Sequence, residues 1–169
     1  DNNSQNSSRI AGGLYNPVIL KRFSEVLQAE PQLVSMNQFY ADLRQKIRIE
    51  FDFKKPILRK FYSVEEQNNW FSASDKATLA PFLSTNLIYK KYQGIDSPFG
   101  YGEVLQTGYV DTKYLLRIYQ SYLQSLNLLV EEGFDYDLLN INEEHIEYNN
   151  FKAKHIVFAE GFGMHSNPF

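Results

Sequence analysis

Residues 7–17 read "SSRIAGGLYNP", and this stretch poses the first structural question about the chain. Ala11, Gly12 and Gly13 stand between an arginine and a short apolar turn. Adjacent glycines cost backbone entropy and bury almost nothing, so something is expected to approach this backbone closely. Residues 155–169, "HIVFAEGFGMHSNPF", pose the same question at the other end. The segment between them must therefore be read for what it could bring together.

The 169 residues correspond to about one domain by the usual prior of roughly 100–200 residues. A chain of about 150 residues buries roughly 70% of its unfolded surface, enough for a core without covalent staples. There is no cysteine, which rules out a disulfide scaffold, thiolate metal ligands and a cysteine nucleophile. The same absence fits a reducing compartment, so a cytoplasmic location is expected. A net charge of −3 argues against nucleic-acid and acidic-membrane partners. Aromatic residues make up 15% of the chain and are expected mostly in core or half-buried sheet positions. No apolar run is long enough to span a bilayer, and no signal-peptide pattern is present.

Periodicity gives an alternation of helical and extended segments. In "PQLVSMNQFYADLRQKI" (31–47), Leu33, Met36, Phe39, Tyr40, Leu43 and Ile47 recur near helical spacing. "RIEFDF" (48–53) alternates Ile49, Phe51 and Phe53 with polar residues, as a half-buried strand does. "KPILRKFYS" (55–63) follows as a second strand, close enough to pair with the first in antiparallel fashion. Ser63 and Glu66 in "SVEEQNNWF" form a capping-box signature at a helix start. "NLIYKKY" (86–92) and "GEVLQTGYV" (102–110) read as further strands, the latter interrupted at Gly108. Asp111 or Thr112 caps a helix whose apolar stripe is Leu115, Ile118, Tyr119, Tyr122 and Leu126, expected to pack on a sheet. Several short strands around Asn and Gly turns complete an α+β fold with mostly antiparallel strands.

Site chemistry is sparse at this level. His145, His155 and His165 lack metal-ligand spacing, and no metal site is expected. The adjacent pairs Glu131/Glu132 and Glu143/Glu144 would point apart on any regular element and read as solvated charges. No nucleophile elbow or Walker-type loop occurs.

Three stretches in order carry a resemblance: "SSRIAGGLYNP", "TGYVDTKYLL" (107–116) and "KAKHIVFAEGFGMHSNPF" (152–169). Together they resemble FAD-dependent oxidoreductases of the D-amino-acid oxidase and glycine oxidase superfamily, in particular the bacterial DadA-like group. The resemblance implies a substrate-type α+β domain over residues 18–126. It implies fragments of a Rossmann-like FAD-binding domain at 1–17 and, as a returning β-meander and strand, at 127–169. By the same resemblance Asp1 would hold the adenosine ribose. Ser7, Ser8 and Arg9 would form the polar part of the cofactor loop, and Ala11, Gly12 and Gly13 its close-approach part. Phe134 would lie near the adenine. Ala159, Glu160 and Gly161 would end a core strand at the cofactor; the family's usual "A-T-G" reads Ala-Glu-Gly here, so no threonine hydroxyl contact is carried over. Thr112 stands where proline is common in "G-x-V-D-P", a change compatible with a helix start.

The resemblance further implies hydride transfer from an amine or amino-acid substrate to FAD, which carries the redox chemistry. It makes this chain an internal segment lacking the glycine-rich phosphate turn and the C-terminal half, inactive by itself and a poor FAD binder. No catalytic residue is singled out. Arg59, Tyr62, Tyr89 and Tyr109 are candidates to line a substrate cavity. The alternative is a non-enzymatic, aromatic-rich module that binds an apolar or sugar ligand.

Overall fold

The computed structural model describes residues 7–169 and divides the chain into two compact units, one ending at Leu128 and the other Leu129–Phe169. Among the described residues there are four helices and small sheets whose strand pairings are all antiparallel. None of these helices is long and apolar enough to cross a membrane.

The first unit is organised by residues 101–110. Its two strands, β6 (Tyr101–Val104) and β7 (Gly108–Val110), are separated by a turn in which Gln106 has φ 57°. β4 (Asp52–Lys54) pairs with β7, and β5 (Ile57–Lys60) pairs with β6. The expected pairing of residues 48–53 with 55–63 does not occur. Instead both run along 101–110 as one bent ladder. Between Lys54↔Gly108 and Ile57↔Val104, two residues on one strand face three on the other, so the ladder carries a bulge-like corner. Thr107 fixes that corner. Its carbonyl accepts from the Lys55 amide (3.2 Å), and its hydroxyl accepts from the Ile57 amide (3.1 Å) and donates to the Lys55 carbonyl (2.6 Å). A proline at position 56 has no amide to offer a ladder, which makes the break at this point inexpensive.

Strand β1 (Leu14–Tyr15) adds to the other side of β7, and β2 (Val18–Ile19) and β3 (Ser24–Glu25) form a small hairpin. The expected strand at 86–92 is reduced to single pairings, Ile88↔Tyr101 and Tyr92↔Ile95. Its ladder cannot continue because the Tyr92–Ile95 turn bends the chain back on itself.

The main core lies around Trp70, which is fully buried with Phe61, Phe82, Leu79 and Val104. Phe61 and Phe23 meet its ring edge-on, with centroids 5.5 and 5.6 Å away. Its indole N–H donates to the Ser84 carbonyl at 2.8 Å, satisfying the one polar atom of the group. A smaller core holds Leu43, Phe51 and Val110, with Tyr40, Ile47 and Leu115 against it.

Helix α1 (Ser7–Ile10) is a single turn. Helix α2 (Ala29–Ile47) takes in the expected segment, with Pro31 in its first turn, where a missing amide is tolerated. Leu33 and Leu43 are buried, but Phe39 is 61% exposed and does not belong to the core face. Likewise Phe51, just before β4, is buried, while Phe53 within it is 37% exposed and stacks on Tyr109 at 5.1 Å.

Helix α3 (Val64–Ser74) is capped as its sequence indicates: the Ser63 hydroxyl accepts from the Glu66 amide at 3.2 Å. Glu66 reaches back one residue further than a standard capping box, to the Tyr62 amide at 2.8 Å, and pairs with Arg59 at 2.7 Å. Partial burial alone would raise the Glu66 carboxyl; the Tyr62 amide and the Arg59 guanidinium outweigh it and leave the group below the ordinary carboxylate value.

Helix α4 (Thr112–Ser125) is capped by Asp111, which accepts from the Tyr114 amide at 2.9 Å. Its apolar stripe does not pack along a sheet as expected. Leu115 docks on the smaller core, but no residue of the helix is fully buried, and Tyr119 and Leu126 are 39% and 47% exposed. The reason is length: fourteen residues rise about 21 Å, whereas a three-residue strand spans only about 10 Å.

The second unit is a meander of β8 (Leu139–Ile141), β9 (Ile146–Tyr148) and β10 (Phe151–Ala153), with Asn149 at φ 49° in the last turn. The expected core strand at 155–161 is not formed. Pairing ends at Ala153, no neighbouring strand offers a ladder to the following residues, and Val157 is 86% exposed.

Two outcomes test this account. Leu115→Asp should lower stability by about 2 kcal/mol, because a carboxylate would enter a partly buried apolar contact. A urea midpoint equal to that of the parent would show that this turn of α4 is not docked. Because Glu66 is depressed, its contribution is present above the ordinary carboxylate value and lost as pH falls through its folded value. The stability gap between the native chain and Glu66→Gln should therefore be wide at neutral pH and narrow under acid. A gap constant with pH would sever the link to Arg59.

Candidate functional site

The stretch 7–17 is held by the stretch 107–116, a hundred residues later. The Thr112 hydroxyl donates to the Ala11 carbonyl at 3.0 Å, and the Val110 amide donates to the Gly13 carbonyl at 3.0 Å. Leu14 and Tyr15 pair with Tyr109 and Gly108. Gly13 adopts φ 65°, and a Cβ there would run into the Val110 carbonyl. Its bareness is thus explained by the chain's own backbone. Gly12 differs: nothing lies within 4 Å of the position a Cβ would take, and its φ is not positive.

Beside this junction a cleft of about 430 Å³ is lined by Arg9, Asp111, Lys113, Tyr114, Arg117 and Gln120. Lys113, Arg117 and Gln120 recur at i, i+4 and i+7, so one face of α4 forms the wall. Arg117 lies 5.2 Å from the centroid of the Tyr114 ring, within cation–π range. The Asp111 carboxylate is engaged as the helix cap. Among the described residues, Arg9, Lys113 and Arg117 have no carboxylate within ion-pair distance. Three cations therefore face one committed carboxylate.

A second, smaller cleft of about 200 Å³ lies between α2 and β4 and includes Asn37, Tyr40, Arg44, Glu50, Asp52 and Lys54. Here the charges are matched: Lys54 meets Asp52 at 3.0 Å and Arg44 meets Glu50 at 3.3 Å. Tyr15 donates to Asp52 at 2.8 Å, and Lys54 donates to Asn37 at 2.8 Å. Burial raises the Tyr15 and Tyr40 hydroxyls above the ordinary phenol value. Burial alone would lower Lys54, but Tyr15 and Asp52 outweigh it and hold the ammonium above its ordinary value. None of these three groups is poised for proton transfer near neutral pH. The residual positive charge belongs to the larger cleft.

In the second unit, Phe134 stacks on Tyr148 with centroids 4.3 Å apart and meets Tyr136 and Phe158 edge-on at 5.4 and 5.8 Å. Phe169 stacks on Phe158 at 6.0 Å. Glu160 accepts from the Tyr136 hydroxyl and from the Asn167 amide (2.9 Å), and the carboxylate raises the Tyr136 hydroxyl. Ala159 is exposed, and Gly161 has φ 59° with nothing near its Cβ position. Its conformation accounts for the glycine without a neighbour. Among the described residues no group of three or more His, Asp or Glu side chains could hold a metal.

The sequence-predicted residues thus fall into two sets. Arg9, Ala11, Gly12 and Gly13 gather at the first junction, and Ser7 and Ser8 form the turn leading to it. Phe134 and Glu160 meet through Tyr136 in the second unit. Asp1 lies outside the described residues. Arg59 is committed to Glu66, Tyr109 stacks on Phe53, Tyr62 and Tyr89 are each 66% exposed, and none of the four lines either cleft. Lys113, Tyr114 and Arg117 are not among the sequence-predicted residues; the signal for them is the i, i+4 spacing of Lys113 and Arg117 on the polar face of α4, opposite the apolar stripe. No protein-family model and no solved structure matches the chain.

Proposed function

We propose that this chain is part of an FAD-dependent oxidoreductase of the D-amino-acid oxidase and glycine oxidase kind, acting on an amine or amino acid. The observation that carries the reading is the junction itself. Two of the three stretches on which the resemblance rests, a hundred residues apart, are joined by a backbone hydrogen bond from Val110 to Gly13 and by one from the Thr112 hydroxyl to the Ala11 carbonyl. On this reading residues 1–17 and 127–169 contribute to a dinucleotide-binding domain, and 18–126 form the substrate-type domain.

The residues fit an anionic dinucleotide in two visible respects. Backbone at Gly12 is bare and open, so a planar ring or a phosphate can approach its amide without steric conflict. Arg9, three residues earlier, carries a guanidinium without a carboxylate partner among the described residues. Bound FAD would supply the hydride acceptor for oxidation of the carbon bearing the amine. This chain's own part is positional: Thr112 and Val110 hold the loop in shape before any ligand arrives, which reduces the ordering cost of binding.

A second reading, a non-enzymatic binding module, draws on the ring cluster of the second unit. Phe134 and Phe169 there remain 40% and 62% exposed, as rings that stack on a ligand would be.

Gly12→Val decides between cofactor contact and turn geometry. Its surroundings leave room for the side chain, so the variant should melt like the parent. On the flavin reading the intact gene product should purify yellow, and its Gly12→Val form should purify colourless yet folded. A colourless parent that takes up no added FAD would overturn the reading. A fully flavin-loaded variant would remove Gly12 from the site.

A further inference from the structure

We infer that the cleft between Arg9 and α4 binds a phosphate-bearing small molecule. The inference goes beyond the flavin reading: it shares Arg9 with it but adds Lys113 and Arg117 of α4, which that reading does not use. Three cations, Arg9, Lys113 and Arg117, line the cleft together with one carboxylate, Asp111, whose oxygen is already occupied by the Tyr114 amide. Elsewhere in this unit the cations of the smaller cleft, Arg44 and Lys54, are each matched by an acid. Among the described residues these three cations face a single carboxylate, which leaves a net positive charge in the cleft, and like-charge proximity costs stability. A ligand anion supplies the missing charge.

The excess of positive charge decides the class of anion. A phosphate monoester carries about −1.5 to −2 near neutral pH and matches the net charge of the cleft, whereas a single carboxylate would leave it half neutralised. Two of the three cations are arginines, whose planar forks pair with phosphate oxygens in a bidentate way. The half-buried Tyr114 ring, with Arg117 beside it, offers a surface for the organic part of the ligand. At about 430 Å³ the cleft falls within the roughly 300–1,000 Å³ range of small-molecule sites. Arg9 comes from α1 and the others from α4, and the two helices pack against each other, so the site is formed within one unit.

The phosphate could belong to a dinucleotide cofactor or to a free phosphorylated compound; the chemistry recognised is the same. The purified chain is titrated with ADP by calorimetry, then with FAD and with inorganic phosphate and acetate as competitors. ADP should bind saturably, more weakly as salt rises, and phosphate should displace it better than acetate. Arg9→Ala and Arg117→Ala should each weaken ADP binding about tenfold or more, the loss of one charge-assisted contact, with unchanged melting temperatures. Arg22→Ala, an exposed cation in the β2–β3 turn, should leave binding unchanged. Displacement of ADP by FAD would assign the site to the cofactor's phosphates, and ADP binding without FAD binding would assign it to a free phosphorylated ligand; both support the inference. It is overturned by the absence of saturable binding, by acetate competing as well as phosphate, or by Arg22→Ala weakening binding as much as the cleft variants. Because this readout needs no colour and no turnover, a colourless parent leaves this inference standing, and its failure removes Arg9 from the flavin reading while leaving the Gly13–Val110 junction that carries it.

Discussion

The backbone of residues 101–110 is the constraint on which the first unit depends. One edge of this strand pair takes β5 and β4; the other takes β1 and the single pairings of Leu83 and Ile88. Strands this short are unstable singly, so each holds only because its neighbours share the same partner. The corner at Thr107 lets one continuous segment serve two small sheets, and the two cores lie on either side of it. β6 brings Val104 to the Trp70 core, and β7 brings Val110 to the Phe51 core. A threonine that both accepts from and donates to the opposite backbone is therefore worth more here than its size indicates.

The same strand positions the site. β7 ends at Val110, whose amide anchors Gly13, and the next residue caps α4. Strand end, loop anchor and helix start are thus covalently consecutive. This fixes the distance between the loop at 7–13 and the polar face of α4 without long side chains having to span it. The rigidity is in backbone hydrogen bonds; the cations that face the cleft are carried on exposed, adaptable stems. Such a division places binding chemistry on a framework that does not need to reorganise.

Charge matching distinguishes the two clefts more sharply than their size does. Between α2 and β4 every cation has its acid; burial holds Tyr15 above neutral titration, and Tyr15 and Asp52 outweigh burial to hold Lys54 there too. That network orders the junction between helix and sheet and leaves nothing to offer a ligand. The cleft at α4 holds the opposite balance. In the second unit, order comes from stacked rings around Phe134 and from Glu160 joining Tyr136 to Asn167.

Local chemistry was legible in the sequence wherever one residue's partner lies within a turn. The Ser63 and Asp111 caps, the extent of α2 and the antiparallel α+β character all follow from side chains a few positions apart. What only the tertiary structure decided is pairing. Periodicity marked 48–53 and 55–63 as strands but could not say that both would choose 101–110 over each other, because ladder hydrogen bonds are made by backbone that looks alike in every sequence. The same limit left the apolar stripe of α4 without its expected sheet and residues 155–161 without a ladder, since an apolar run specifies what would be buried and not whether a neighbour is long enough to bury it. Gly12 and Gly13 are identical letters in sequence; only the approach of Val110 makes one of them a packing requirement and leaves the other open to solvent.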